Sequence, residues 1–228
     1  MKSNNRVEKT GDGFPTIISG KYNAMYHSGH GSLSESNHVF IDAGLLHYIS
    51  SNHGVSRINL LEYGFGSGLN AWLTAMRCNS GPEIFYTSIE KHPLTQSEAK
   101  AFIEAMPGEL TAGKHLDVFR NIHSAEWETF AEIHPHFHLK KLERSFQNHT
   151  FEDQPNLVYY DAFGPGTQAE LWTEEIFTPL YEALAPEGII VTYCVQGAFR
   201  RMLSKLGFDW EKLPGPPGKR EMLRIIKP

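Results

Sequence analysis

Three clusters of residues in this chain combine types and spacings suited to chemistry. Glu62-Tyr63-Gly64-Phe65-Gly66-Ser67-Gly68 closes an apolar run and opens a helical pattern. Glycines at alternate positions let a backbone turn sharply and approach a ligand closely. The spacing is G-x-G-x-G, not the G-x-G-x-x-G of a pyrophosphate cradle, and no G-K-[ST] follows, so a P-loop is excluded. Glu90 ends the next apolar run, where a carboxylate can accept hydrogen bonds from both hydroxyls of a ribose. Lys91-His92-Pro93 then makes a restricted turn. Asp161 leaves Leu157-Val158-Tyr159-Tyr160 and enters Ala162-Phe163-Gly164-Pro165-Gly166, a placement that fits a catalytic or orienting acid. Each feature alone also has a structural explanation, as a turn, a solvated strand end or a cap. The glycine turn and Glu90 together indicate a nucleoside-bearing ligand that needs no phosphate. Trp172 could wall a pocket or pack in the core.

The elements that must position these residues alternate between apolar runs and amphipathic stretches. Strands are expected at 58–64, 84–90, 116–119, 156–163 and 188–195, with helices at 68–77, 94–106, 122–132, 173–184 and 198–207. The closing segments FDWEKL and REMLRII read as an antiparallel hairpin around PGPPGKR. Continuous apolar strands separated by helices imply a parallel sheet covered on both faces. The fold class is therefore α/β, a mostly parallel doubly wound sheet with an antiparallel C-terminal hairpin. Ligands of such sheets bind beyond the C-terminal strand ends, near Gly64, Glu90, Asp161 and Cys194. Ahead of this unit, residues 1–15 read as frayed, FPTII and YNAMY as a short hairpin, and 38–50 as an amphipathic helix. The division expected is an N-terminal extension, 1–50, packed on a domain at 51–228.

Composition narrows the classes. With 228 residues and 40% hydrophobic content, the chain can bury a sizeable core. Two cysteines exclude a disulfide scaffold and a four-cysteine metal site. No apolar stretch is long enough to span a bilayer, and no apolar run follows the first basic residues, so a cytoplasmic protein without membrane association is expected. His134, His136 and His138 alternate, but they sit in a polar, Pro-containing stretch without cysteine, and no metal is expected. No G-x-S-x-G elbow is present. The net charge of −5 gives no global support to nucleic-acid binding. Residues 200–228 nevertheless hold eight basic side chains against three acidic ones, a local +5 that could hold a phosphate backbone or form a solvated face.

Several segments resemble a known family. LLEYGFGSGLNAW (60–72), IEKHPLT (89–95), YYDAFGPGTQAELWTEEIF (159–177), PGKREML (217–223) and MYHSGHGSLSESNHVF (25–40) are similar to the methyltransferase domain of the bifunctional enzyme that completes 5-methylaminomethyl-2-thiouridine at the tRNA wobble position, in a free-standing form without the flavin oxidase domain. The resemblance covers nearly the whole chain from about Tyr22. It implies a Rossmann-like class I fold and S-adenosylmethionine as cofactor. Glu62, Gly64, Phe65, Gly66, Gly68, Glu90 and Lys91 match the cofactor site, Glu90 at the ribose. Asp161 matches the acid beside the methyl group and the substrate amine. Phe163, Pro165 and Trp172 match the wall of the substrate pocket and Glu35 the acid of the family's N-terminal element; Phe163, Trp172 or Tyr193 could stack on the wobble base, and Lys219 and Arg220 match a basic pair near the pocket or its RNA approach. Where the family has G-D after the third strand, contacting adenine, this chain has Phe119-Arg120-Asn121, and Asn121 is assigned that contact. The implied partners are the tRNA anticodon region and a separate FAD-dependent oxidase or other wobble-modification enzymes.

Residues and resemblance agree on the chemistry. Methyl transfer to an amine needs alignment and a neutral nitrogen, so a nearby carboxylate must take or guide a proton, and Asp161 is the candidate. Arg201 and Lys205 share a helix face with Arg200 at its edge, and with Lys219 and Arg220 they are expected to line a phosphate-holding rim. NAD(P) is the alternative cofactor. A small-molecule amine or carboxylate methyltransferase and a non-catalytic RNA-binding protein of the same fold are the alternative functions.

Overall fold

The computed structural model describes residues 5–78, 80–110 and 113–228. Parallel pairing at the centre follows from four short apolar runs: β4 (Arg57–Tyr63), β5 (Glu83–Glu90), β8 (Leu157–Tyr160) and β9 (Ile189–Thr192). They join β7 (Phe137–Glu143), β6 (Phe130–His134), β10 (Asp209–Pro214) and β11 (Glu221–Ile226) in one mixed sheet of order β10-β11-β9-β8-β4-β5-β7-β6. The pairs β4–β5, β4–β8, β5–β7 and β8–β9 are parallel, and the hairpin strand β11 runs antiparallel to β9. This mixed α/β architecture is consistent with a class I methyltransferase-like fold.

Side-chain alternation explains why both faces are covered. In β8, Leu157 and Tyr159 enter one core while Val158 and Tyr160 enter the other. The first core is closed by α3 (Leu69–Ala75), α4 (Gln96–Ala105), α5 (Gly113–Ser124) and an N-terminal helical stretch, through Trp72, Phe102, Phe119 and Phe40. Thr95 and Glu98 cap α4 reciprocally, which fixes where that helix starts. The second core is closed by α6 (Glu174–Ala183) and α7 (Gly197–Leu206), through Phe177 and Phe199.

The N-terminal helical stretch runs from α1 (Ser32–Ser36) through a π-helical segment, Asn37–Leu46, into α2 (His47–Ser51). It lies close on the sheet: a Cβ on Gly44 would meet Val191 Cγ2 at 3.0 Å and Tyr159 Cε1 at 3.2 Å. Residues read as frayed instead contribute β1 (Arg6–Lys9), which pairs with β2 (Pro15–Ser19); the expected hairpin forms between β2 and β3 (Ala24–Met25). Residues 1–4 of the expected extension lie outside the described residues.

The strand expected at 116–119 and the helix expected at 122–132 are both corrected. Val118, Phe119 and Ile122 are the buried positions of a single helix, α5, and their spacing is helical. The third parallel strand is β7, inside the polar, His-rich stretch for which no strand is expected. Its pattern is disguised because Lys141 occupies an inward position with only 1% exposure. Among the described residues, no helix is long and apolar enough to cross a membrane.

Candidate active site

The C-terminal ends of β4, β5, β7 and β8 open onto a cavity of about 920 Å³. Its floor is set by the chain leaving β4. Gly64 and Phe65 donate their amides to Ile89 O, at 3.0 and 3.3 Å, and the Asp161 amide donates to Tyr63 O at 3.0 Å. Gly64 has φ of +98°, and a Cβ there would lie 2.6 Å from Asp161 O, so only glycine lets the two strand ends approach this closely. Gly68, also at positive φ, is the N-cap of α3.

Glu90 ties the turn to the next strand. Its Oε2 accepts from Gly66 N–H at 3.1 Å and its Oε1 from His92 N–H at 2.7 Å. Burial pushes its carboxyl up, opposed by these backbone donors. Asp161 also lines the cavity, with Oδ2 accepting from Asn70 Nδ2 at 2.9 Å. Burial, reinforced by the charge of Glu35, pushes its carboxyl up to about 7. The same Asn70 amide donates to Glu62 Oε1 at 3.1 Å, and Ser88 donates to Glu62 Oε2 at 2.6 Å. Glu62 is completely buried, and desolvation pushes it up to about 8.

Of the residues singled out in the sequence, Gly64, Phe65, Gly66, Glu90, Lys91, Asp161 and Phe163 line the cavity. Glu62 sits behind it, beneath Asn70. Trp172 and Tyr193 brace the loop after β8: the Trp172 indole donates to Phe163 O at 2.8 Å, and the Tyr193 hydroxyl to Ala162 O at 2.7 Å. Lys219 pairs with Glu35 and lies 3.7 Å from the centroid of the Tyr193 ring. Glu35 also accepts from the Ser28 amide at 2.7 Å, so this pair joins the N-terminal segment to the C-terminal hairpin. Pro165 is half-buried in the loop after β8, and Arg201 and Arg220 are exposed. Asn121 is in α5 and does not line the cavity. The residues that follow the third strand at the cavity are Ser145, Phe146 and Gln147, because β7 rather than 116–119 is that strand.

Other residues at the site escaped sequence reasoning. Asn70 lies within the glycine-turn motif but carried no separate signal. Tyr22 and Tyr26 reach the cavity from the N-terminal hairpin, with ring centroids 5.2 and 5.5 Å from Phe163. Lys141 acts from below. It donates to the carbonyls of Ile122 and His123 at 2.9 and 3.1 Å, at the end of α5, while the His123 ring bonds Ser67 O in the glycine turn at 3.0 Å. Burial pushes Lys141 down to about 8 and His123 down to about 4. The alternating histidines diverge: His136 and His138 face Glu83, at 2.9 and 2.7 Å, and His134 turns to Pro135 O.

Fold and cavity together are those of a mixed α/β protein, consistent with a class I methyltransferase-like fold. A family model described as S-adenosyl-L-methionine-dependent methyltransferase matches residues 132–228. The tRNA 5-methylaminomethyl-2-thiouridine biosynthesis bifunctional protein MnmC of Cupriavidus metallidurans is 31% identical over 227 residues, covering 92% of this chain and 32% of that protein. Its counterpart in Aeromonas hydrophila is 29% identical over 230 residues, covering 91% and 33%. The chain thus spans about a third of the length of the curated relatives it matches. The crystal structure of MNMC2 from Aquifex aeolicus shares the fold, with a TM-score of 0.77 at 22% identity, over 99% of this chain and 71% of that one. These similarities link the chain in general terms to MnmC-type proteins and, over residues 132–228, to S-adenosylmethionine-dependent methyltransferases.

Proposed function

We propose that this chain is a cytoplasmic S-adenosylmethionine-dependent N-methyltransferase converting 5-aminomethyl-2-thiouridine to 5-methylaminomethyl-2-thiouridine at wobble position 34 of tRNA. The observation that carries this is Asp161: a carboxyl whose burial raises its proton affinity to about 7, at a strand end beside the glycine turn and lining the same cavity as Glu90. The names of the relatives supply the tRNA substrate. The sheet is taken as Rossmann-like, with residues 51–228 as the methyltransferase unit and 1–50 as an extension covering it.

The cavity residues fit the cofactor. The volume suits a nucleoside-sized ligand. Glu90 retains acceptor capacity beyond its two backbone bonds, as a ribose diol requires. Among the described residues, Asn70 Oδ1 is a buried acceptor without a partner, on a residue that lines the cavity. Bound there, S-adenosylmethionine supplies an activated methyl group. Glu90 would hold the ribose, and the turn at Gly64 and Gly66 lets the ligand lie against backbone, with Phe65 and Lys91 completing that side; Gly68, which does not line the cavity, shapes the turn from behind against Ile122 and His123.

The substrate amine arrives mostly protonated at neutral pH. Asp161 accepts a proton from the ammonium, leaving a nitrogen lone pair free to attack. An acid whose proton affinity lies near the working pH exchanges protons most effectively. Asn70 fixes the carboxylate orientation through Oδ2. Phe163, with Tyr22 and Tyr26, offers aromatic faces for a base extruded from the anticodon loop. Trp172 and Tyr193 keep the Phe163 loop in place, and the Glu35–Lys219 pair tunes the charge around Asp161. A separate FAD-dependent oxidase or another wobble-modification enzyme would supply the aminomethyl precursor.

A small-molecule amine methyltransferase is the second interpretation. It is favoured by the internal ion pairing of the basic C-terminal segment, where Lys205, Lys212, Lys219 and Arg224 each contact a carboxylate. Transfer of label from S-adenosylmethionine to tRNA carrying the aminomethyl nucleoside separates the two. Calorimetry with S-adenosylhomocysteine and NADH tests the cofactor, and binding of NADH alone would refute the methyltransferase assignment.

A further inference from the structure

The basic C-terminal segment divides into two populations. Lys205 pairs with Glu174, Lys212 with Glu221, Lys219 with Glu35 and Arg224 with Glu211. Lys227 is spent on the carbonyls of Glu182 and Leu184. Among the described residues, Arg200, Arg201 and Arg220 are the basic side chains of this segment that, apart from the carbonyl-bound Lys227, have no carboxylate within ion-pair distance.

Arg200 and Arg201 share one neighbourhood, and Arg220 lies in the turn of the hairpin whose strand β10 packs on their helix through Trp210. A Cβ on Gly197 would lie 3.3 Å from Arg201 Nη1 and 3.9 Å from Arg200 Nη2, so both guanidiniums lie over the first residue of α7. Arg200 is held there by its Nε bond to Val195 O at 3.2 Å and by the Trp210 ring, 4.9 Å from its Cζ to the centroid. Glu221, whose carboxyl is lowered first by its bond from Lys212, also feels Arg220 and Arg200. The cluster adjoins the cavity wall. Phe199, on the same helix, packs on Trp172 with centroids 4.9 Å apart, and Trp172 carries the Phe163 loop. Lys219, next to Arg220, lies on Tyr193.

We propose that Arg200, Arg201 and Arg220 form the rim that binds the phosphodiester backbone of an RNA strand whose base enters the cavity, and that Lys205 and Lys219 take no part in phosphate contact. This rests on the tRNA substrate proposed above. Guanidinium groups suit the role because their planar donor forks match phosphate oxygens and they stay charged. An unpaired guanidinium can release a counterion from the nucleic acid, whereas a lysine held by a carboxylate must first break its ion pair.

The test is binding of an in vitro tRNA transcript across a salt series. The variants are Arg201→Gln, Arg220→Gln, the double variant and Lys205→Gln, with S-adenosylhomocysteine affinity as the folding control. Each arginine variant should flatten the slope of log affinity against log salt by about 0.7–0.9, and the double variant by about twice that. Lys205→Gln should keep the wild-type slope. Unchanged slopes in the arginine variants, or an equal loss in Lys205→Gln, would overturn the assignment of the rim. Methylation of tRNA bearing the aminomethyl nucleoside, assayed in parallel with wild-type protein, reports on the substrate separately. A wild-type enzyme that methylates this tRNA while the arginine variants bind normally leaves the function standing and removes the rim.

Discussion

Replacing Glu90 by Ala gives the clearest quantitative test of the cofactor site. The carboxylate already accepts from Gly66 N–H and His92 N–H at 3.1 and 2.7 Å. With ribose bound it would also accept from two hydroxyls. Hydrogen bonds to a charged acceptor contribute about 1.5 kcal/mol each at the low end, so losing both ribose bonds costs about 3 kcal/mol. That is a loss of roughly 100-fold in S-adenosylhomocysteine affinity. Calorimetry measures it directly. The 2′-deoxy form of the ligand provides the internal check: it should bind wild-type protein more weakly than the parent ligand, with little further discrimination in Glu90→Ala. Because burial raises the Glu90 pKa, wild-type affinity should fall on acidification as the carboxylate protonates, and the variant should lack that component. Affinity within twofold of wild type in Glu90→Ala would refute the placement of ribose at this acid.

Asp161→Asn should lower kcat by roughly 10²–10⁴-fold with ligand affinity retained, and should remove a limb of the pH–rate profile rising through about 7. Retention of both the rate and that limb would assign proton removal elsewhere. Glu62 binds its proton more tightly when folded, so its contribution to stability is complete in acid and is lost as pH rises toward about 8. Glu62→Gln should therefore flatten the fall in stability between roughly pH 5 and 8, measured by urea denaturation at several pH values, and an unaltered profile would contradict the burial of an acid there. Lys141→Met should weaken S-adenosylhomocysteine binding several-fold by freeing the end of α5 and, through His123, the glycine turn, whereas unchanged affinity would make Lys141 purely a packing residue.

What the sequence made visible was mostly local. β4, β5 and β8 are apolar runs with an acid at or beside their C-terminal ends, and the glycine turn between β4 and α3 carries its own signature, so the strand ends bearing Glu90 and Asp161 could be located from residue order alone. The third strand could not. Lys141 interrupts its apolar pattern, and the compensation, two helix-end carbonyls with the rings of Phe65 and Trp127, comes from distant segments. Asn121 was assigned to a strand end because a four-residue run in α5 imitates a strand when its i, i+3, i+4 partners are ignored. Tyr22 and Tyr26 reach the cavity only because the N-terminal hairpin folds back over the sheet mouth, a long-range arrangement that local pattern does not encode. The ion pairs that separate Lys205 and Lys219 from Arg201 and Arg220 were hidden for the same reason.

The most direct measurement is nucleoside mass analysis of tRNA carrying 5-aminomethyl-2-thiouridine after incubation with the protein and methyl-labelled S-adenosylmethionine. The account predicts conversion of that nucleoside at position 34 to its labelled 5-methylaminomethyl form, abolished in Asp161→Asn. An unconverted nucleoside, with the cofactor bound and the protein folded, would contradict it.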